Sequence, residues 1–242
     1  MVFVSFFLGF AEDADTTERI ETFDRSSGYR GLGLNFGFTL FYPSEVNDMI
    51  NDIYNEFLQG YEQYAEMLKP ALFWGISLKG KGVFYLNRQF SLEPYGQIFT
   101  ASESIDHLLF PGFEYIYVFF FSGGINCWFR FNTENLVSFK TGVGAFSGYG
   151  RIEMDGGVGR LSMSGPGFGV DLLAGLDLTF RKVIVNMDFS VPVGVIRYLH
   201  RKGDLILYGE NGYTATPPVY TNYPAQLLLL GFEFKPGVTF KF

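Results

Sequence analysis

A chain of 242 residues fits one domain, and its thirty Gly, twenty-nine Phe and fifteen Tyr suit β-structure with tight turns and crowded backbones. A net charge of −7 argues against a nucleic-acid partner, which would need a basic face, and the single cysteine, Cys127, excludes an internal disulfide and any cysteine metal cage. No apolar run approaches the roughly eighteen residues of a spanning helix, so any membrane residence must be through β-strands.

Residues 1–11, MVFVSFFLGFA, read as the apolar region of a signal peptide, with Gly9 and Ala11 placed for cleavage, although the basic n-region is missing. A short first strand or an apolar tail is the alternative. Residues 12–30 carry six acids between Glu12 and Asp24 and have no period, which predicts a flexible acidic lead-in on the periplasmic side. Alternation then starts: Leu32, Leu34, Phe36, Phe38 and Leu40 form the apolar parity of a first strand. Pro43 ends it and Ser44 can cap an amphipathic helix, an insertion spanning 44–69, in which Val46, Met49, Ile50, Ile53, Phe57, Tyr61, Tyr64 and Leu68 recur at helical spacing with acids between them.

After Pro70 the period of two returns. A second strand runs from about Trp74 to Leu86, Asn87 to Gln89 turns it, and a third carries Phe90, Leu92, Pro94 and Ile98. A long loop is expected at 102–111. The fourth strand holds Tyr115, Tyr117, Phe119, Phe121, Ile125, Cys127, Phe129 and Phe131 on one parity; Asn132 to Asn135 turn it into a fifth from Val137 to Ala145. The glycine-rich stretch 151–167 is expected to be a second long loop. A sixth strand from Phe168 to Phe180 and a seventh from Val183 to Val195 meet at the tight turn Arg181-Lys182. The third long loop, 201–222, contains a hairpin signal at Asn211-Gly212 between Tyr208 and Tyr213. The last strand is the most regular of all, with Leu228, Leu230, Phe232, Phe234, Val238, Phe240 and Phe242 opposed by Glu233, Lys235, Thr239 and Lys241.

Eight strands with connections alternating long and short predict an all-β fold, an antiparallel up-and-down transmembrane β-barrel over 31–242. Lipocalin-like barrels also have eight strands, with apolar residues inside, so the direction of the apolar face has to be argued. About fifty apolar positions, many of them Phe, would not fit an eight-stranded interior. That parity carries no charge in any strand. The other parity is rich in Gly, Ser and Asn and mixes its charges nearly evenly, as a narrow lumen of partnered ions requires. The apolar face is therefore predicted to meet lipid.

These strand parities, the asymmetry of the turns and the ending Val238-Thr239-Phe240-Lys241-Phe242 make the chain similar to the small eight-stranded bacterial outer-membrane β-barrels typified by OmpA and OmpX. The resemblance covers about residues 31–242. It implies an outer-membrane location, short periplasmic turns and long external loops. It also implies that Val238, Phe240 and Phe242 form an assembly signal read by the barrel-assembly machinery. The inserted acidic helix departs from the compact members of this class.

The residues that could carry chemistry are the lumen charges Lys79, Lys81, Glu93, Arg130, Lys140, Asp171, Asp177, Asp188, Glu233 and Lys235. They form either a gate or narrow ion path, or a plug of salt bridges. Phe120, Trp128, Tyr85 and Tyr95 on the same parity favour the plug. Ser102 to His107 gather a hydroxyl, carboxylates and an imidazole, and His200 is the second histidine, but nearness in sequence does not supply the nucleophile, base and orienting group of a catalytic triad. Gly31-Leu32-Gly33 and Gly142-Val143-Gly144 miss the dinucleotide-binding spacing. The expectation is an envelope protein without catalytic residues, cofactor or metal, embedded in the outer-membrane bilayer and acting in structure or surface binding through its long loops. Its acidic helix is either a lid on the barrel mouth or a docking element for an external partner. A narrow pore or a path for small hydrophobic solutes is the alternative, and a lipid-modifying enzyme the third.

Overall fold

The computed structural model describes residues 30–42, 73–104, 113–133, 135–156, 159–180, 182–196, 200–209, 212–215 and 227–242. They form ten strands: β1 (Arg30–Tyr42), β2 (Phe73–Tyr85), β3 (Phe90–Ser104), β4 (Phe113–Phe131), β5 (Val137–Gly156), β6 (Gly159–Thr179), β7 (Val183–Ile196), β8 (His200–Gly209), β9 (Gly212–Ala215) and β10 (Leu227–Lys241). Strands β1 to β7 and β10 pair antiparallel with their neighbours in order, and β10 returns to β1 through Gly31↔Lys241 to Tyr42↔Leu230, so the eight close into a barrel without an edge. The predicted helix at 44–69, residues 105–111 of the loop predicted at 102–111 and the first 29 residues lie outside the described residues, while residues 102–104 of that loop continue β3.

Tight turns join strands at one rim. Asn87 Oδ1 accepts from the backbone N–H groups of Gln89 and Phe90, both at 2.8 Å, an Asx turn that needs an Asn or Asp side chain. Asn132 has a positive φ of 52°, which Asn tolerates, and its carbonyl accepts from Asn135 N–H at 3.1 Å. Phe180 N–H donates to Val183 at the third turn, and Phe242 N–H to Arg30 beside it.

The wall is uneven. Strands β1 and β2 have 13 residues each and β7 has 14, whereas β4, β5 and β6 have 19, 20 and 21. Residues 151–167 are therefore not the loop that the glycines suggested. They continue the ladder, from Arg151↔Ser164 to Gly156↔Gly159, and close as a hairpin. The physical reason is an inversion of faces. Up to Tyr149 the outward residues of β5 are mostly apolar; beyond it they are Arg151, Glu153 and Asp155, while the apolar Ile152 turns inward and is fully buried. Strand β6 follows, with Ser162 and Ser164 outward and Met163 buried. The pattern that follows one apolar parity ends where the wall leaves the hydrocarbon, but the strand does not.

The 201–222 loop is likewise part strand. β8 pairs with the upper half of β6 from Gly159↔Leu205 to Ser164↔His200, taking over from β7, which pairs with the lower half. Pro166 lies where β6 changes partner, a place where a missing N–H is tolerated. β8 then folds back on β9 through Tyr208↔Tyr213 and Gly209↔Gly212, the hairpin that its sequence signalled, turning one residue before the Asn211-Gly212 pair.

Candidate functional site: the charged lumen

Alternation sends one residue in two from each strand into the barrel. All ten lumen charges singled out in the sequence point inward and are buried, 1–5% exposed. Five are basic and five acidic, so the interior is neutral.

Six of them form a closed ring of alternating sign, each supplied by a different strand. Arg130 (β4) donates from Nε to Asp177 (β6) at 2.9 Å and from Nη2 to Glu93 (β3) at 3.3 Å. Lys140 (β5) lies 2.8 Å from Asp177 and 2.6 Å from Asp188 (β7). Lys81 (β2) completes the circuit, 3.2 Å from Asp188 and 3.4 Å from Glu93. Each ion in the ring thus meets two opposite charges, the arrangement that low-dielectric burial demands. The two strands that give no ion to the ring are tied in otherwise. Asn35 of β1 donates to Asp188 at 3.2 Å and to the carbonyl of Lys235 on β10 at 3.0 Å. Asn186 also donates to Asp188, and Ser91 accepts from Arg130 Nη1.

Above the ring lies a second group. Glu233 is paired with Lys235 and accepts from Gln97 at 2.9 Å, Thr39 at 3.1 Å and Ser190 at 2.8 Å. The Tyr95 hydroxyl donates to Asp171 at 3.1 Å, and the Lys79 ammonium sits 3.7 Å over the Tyr95 ring. Aromatic faces serve the ring below in the same way: Lys140 lies 4.4 Å from the Trp128 ring and Arg130 4.9 Å from Tyr85.

Apolar side chains close both ends. Val83, Tyr85 and Ile184 pack together toward the short-turn rim. Toward the other rim, Phe99, Phe120 and Phe146 are buried, with Phe120 and Phe146 edge to face at 6.1 Å. These rings lie on bare backbone. A Cβ on Gly169 would stand 2.5 Å from Phe146 Cζ, and one on Gly75 2.4 Å from Phe99. Inward glycines are the seats of inward aromatics, which accounts for the abundance of both residue types. Sequence reasoning placed Phe120, Trp128, Tyr85 and Tyr95 inside but missed Asn35, Gln97, Ser190 and Asn186, whose signal was only inward parity. Asn126, 0% exposed, has no hydrogen-bond partner for its carboxamide among the described residues.

The remaining candidates are scattered. Ser102 is exposed near the top of β3; Asp106 and His107 lie outside the described residues; the backbone of His200 pairs with Ser164 on β6. Val238 pairs with Leu34, and Phe240 and Phe242 stand on the outer face, 60% and 68% exposed. Among the described residues no cluster of metal-ligating side chains occurs.

The outer surface completes the picture. Leu34, Ile76, Leu78, Phe121, Ile125, Val143, Val170 and Leu172 are exposed around the middle of the wall, flanked by Phe84, Phe90, Phe131 and Phe180 toward the short turns and by Trp74, Tyr115, Tyr117 and Tyr149 toward the other rim. An apolar band between aromatic girdles, around a polar interior, belongs in a bilayer.

Among solved structures the chain is similar to Neisserial surface protein A, with 14% identity, 89% of this chain and 100% of that chain covered, and a TM-score of 0.46. It is also similar to Ail, the attachment invasion locus protein of Yersinia pestis, with 12% identity, coverage of 90% and 100%, and a TM-score of 0.43. For the outer membrane protein OprG from Pseudomonas aeruginosa the values are 10%, 91% and 99%, and 0.48. No protein-family model matches the chain, and no curated protein matches it by sequence. By its closed eight-stranded wall, lipid-facing exterior and charge-paired interior, the chain is an eight-stranded transmembrane β-barrel, the fold of the small outer-membrane proteins to which it is similar.

Proposed function

We propose that this barrel is a closed element of the envelope, without catalytic activity, whose spanning part is a scaffold and whose interactions are made at its external rim. The observation that carries the proposal is the ring Glu93, Arg130, Asp177, Lys140, Asp188 and Lys81, which ties six strands together across the lumen and leaves each ion with two partners. A conduction path needs charges that can exchange partners with a passing ion; here both ends of the charged zone are filled by apolar side chains. The tall hairpin of β5 and β6, with β8 and β9 beside it, raises a polar outer face beyond the girdle and gives a partner something to meet. Insertion by the barrel-assembly machinery through Val238, Phe240 and Phe242 belongs to the same proposal. Planar-bilayer recording of the refolded barrel tests it: silence is expected, and steady conductance that changes in Asp188→Asn would overturn it. Assays of phospholipid and lipid A modification are expected to be blank, for wild type and for His200→Ala alike.

A second reading is passage of small apolar solutes through the wall, and it draws on three interruptions of the ladder. The β2–β3 register passes from Lys81↔Tyr95 to Phe84↔Leu92 without pairing Gly82 to Pro94. Pairing similarly skips Pro236 between β1 and β10, and Pro192 between β7 and β10. Each proline lacks the N–H that would close the ladder. Uptake of a fluorescent apolar solute into vesicles, lost on Pro94→Val, is the outcome that would favour it.

A further inference from the structure

Eight of the ten lumen charges stand in direct ion pairs. Among the described residues Lys79 and Asp171 do not, although they are 2% and 4% exposed. Both use Tyr95 instead: Asp171 accepts from its hydroxyl at 3.1 Å, and Lys79 lies 3.7 Å over its ring. An ammonium carries three donors and a carboxylate about four acceptor sites, so most of that capacity is unspent.

The register brings further unspent capacity to the same place. Glu93, Asn126, Gly144 and Asp171 stand side by side on β3, β4, β5 and β6, all facing inward. Gly144 leaves a bare position in that row: a Cβ there would stand 2.4 Å from Asn126 Oδ1 and 3.2 Å from Asp171 Cβ. Asn126 is 0% exposed, and neither its Nδ2 nor its Oδ1 has a hydrogen-bond partner. Turning the amide over leaves the same demand. Glu93 Oε2 beside it accepts no hydrogen bond, and Trp128 Nε1, two residues along β4, donates none.

The chemistry of these groups selects what binds them. Buried polar groups are almost always hydrogen-bonded, because leaving one unmatched forfeits its hydration. The occupant must donate to Asp171 and Glu93 and accept from Asn126 and Trp128, so it must do both. It must also be uncharged, since five bases and five acids already balance and an added ion would be a buried charge without a partner. Water meets both conditions and typically binds about three such groups at once. We propose that this level of the lumen is a water site, with water held by the Asn126 carboxamide and bridging it to Glu93 on one side and, past Gly144, to Asp171 on the other. The ring of ion pairs is then capped by a hydrated layer, in which Lys79 and Asp171 stay charged without touching.

The site rests on the reading of the lumen as closed, with its water held between the apolar ends. A crystal structure of the full chain from a lipid mesophase, at about 1.8 Å resolution, tests it. Density within about 2.7–3.2 Å of the Asn126 carboxamide is expected. No density there, with the ring side chains well defined, overturns the proposal, and so does a peak that turns anomalous in rubidium or bromide salts, which is an ion. Stability gives a second measure. In a dry site, Asn126→Leu replaces an unmatched amide by an apolar group of similar size and raises the folded-to-unfolded ratio by roughly 5- to 150-fold. In the wet site the ratio stays level or falls, so a gain of about fivefold or more overturns the proposal; should the variant not fold, the wild-type density decides alone. A conducting barrel would fail the bilayer recording and still show the water, whereas a dry plug would be silent and show none.

Discussion

Replacing Asp188 with asparagine removes one charge from the centre of the ring while keeping the shape of the side chain. Asp188 faces Lys140 at 2.6 Å and Lys81 at 3.2 Å, and accepts from Asn35 and Asn186 at 3.2 Å each. The substitution leaves a buried excess of one cation, and an amide whose N–H groups point at two ammonium groups and two further amides. Breaking a buried pair by removing one partner costs about 3–5 kcal/mol. Lys81 keeps Glu93 and Lys140 keeps Asp177, so the lower end applies, about 3 kcal/mol, or a folded-to-unfolded ratio lower by a factor of about 150. Reversible urea unfolding of the barrel in lipid, followed by Trp128 and Trp74 fluorescence and by electrophoretic mobility, measures it. The double variant Asp188→Asn/Lys140→Met restores neutrality and is expected to be more stable than the sum of its parts, with a coupling of about 1–3 kcal/mol. A single-variant loss under about 1 kcal/mol, or no coupling, would refute the account of the ring as a mutually dependent unit.

Glycines in this wall are expected to divide by the side they face. Gly169→Ala would set a Cβ 2.5 Å from Phe146 Cζ and from the Val193 carbonyl and is expected to cost about 1–3 kcal/mol, whereas Gly80→Ala meets nothing within 4 Å and should be neutral or slightly stabilising in the same unfolding assay. Leu172→Arg, on the lipid face at mid-wall, should destabilise by about 2–4 kcal/mol in vesicles; a loss below 1 kcal/mol there would contradict the assigned facing of β6. Asn87→Ala removes the acceptor of two turn N–H groups, and a loss of roughly 1 kcal/mol with an unchanged barrel is expected.

The fold was legible because a bilayer imposes a strict rule. Strands inside it must alternate, so Leu32 to Leu40, Tyr115 to Phe131 and Leu228 to Phe242 announced themselves, and the excess of Phe on one parity told outside from inside. The site was legible for the same reason: charges on the polar parity of a membrane wall have nowhere to go but the lumen. Partnership was not legible. Arg130 and Asp177 are 47 positions apart, and Lys81 and Asp188 107, so their meeting depends on the stagger of eight strands. The upper wall was misread because water changes the rule. At Arg151, Glu153 and Asp155 the polar face moves outside, and a sequence scanned for one apolar parity stops there.

That inversion also locates where interactions with other molecules can be made. Within the girdles the outer face meets lipid and the inner face is satisfied by its own ions, so neither offers a surface to a soluble partner. Above Tyr149, whose hydroxyl donates to Ser164 at 2.7 Å, the outer face of β5 and β6 carries Arg151, Glu153, Asp155 and Ser162. The inner face there holds Ile116, Val118, Ile152 and Met163, each 0–3% exposed, a core like that of a water-soluble sheet. This hairpin is thus built to stand in water on a barrel built to stand in lipid. A short wall would have sufficed to close the lumen, since Phe120, level with Gly150, and Phe146 below it already fill it. The roughly 25 Å of additional strand in β6 over β2 adds nothing to the seal, and its polar outer face is the part of the structure that a partner outside the membrane can reach.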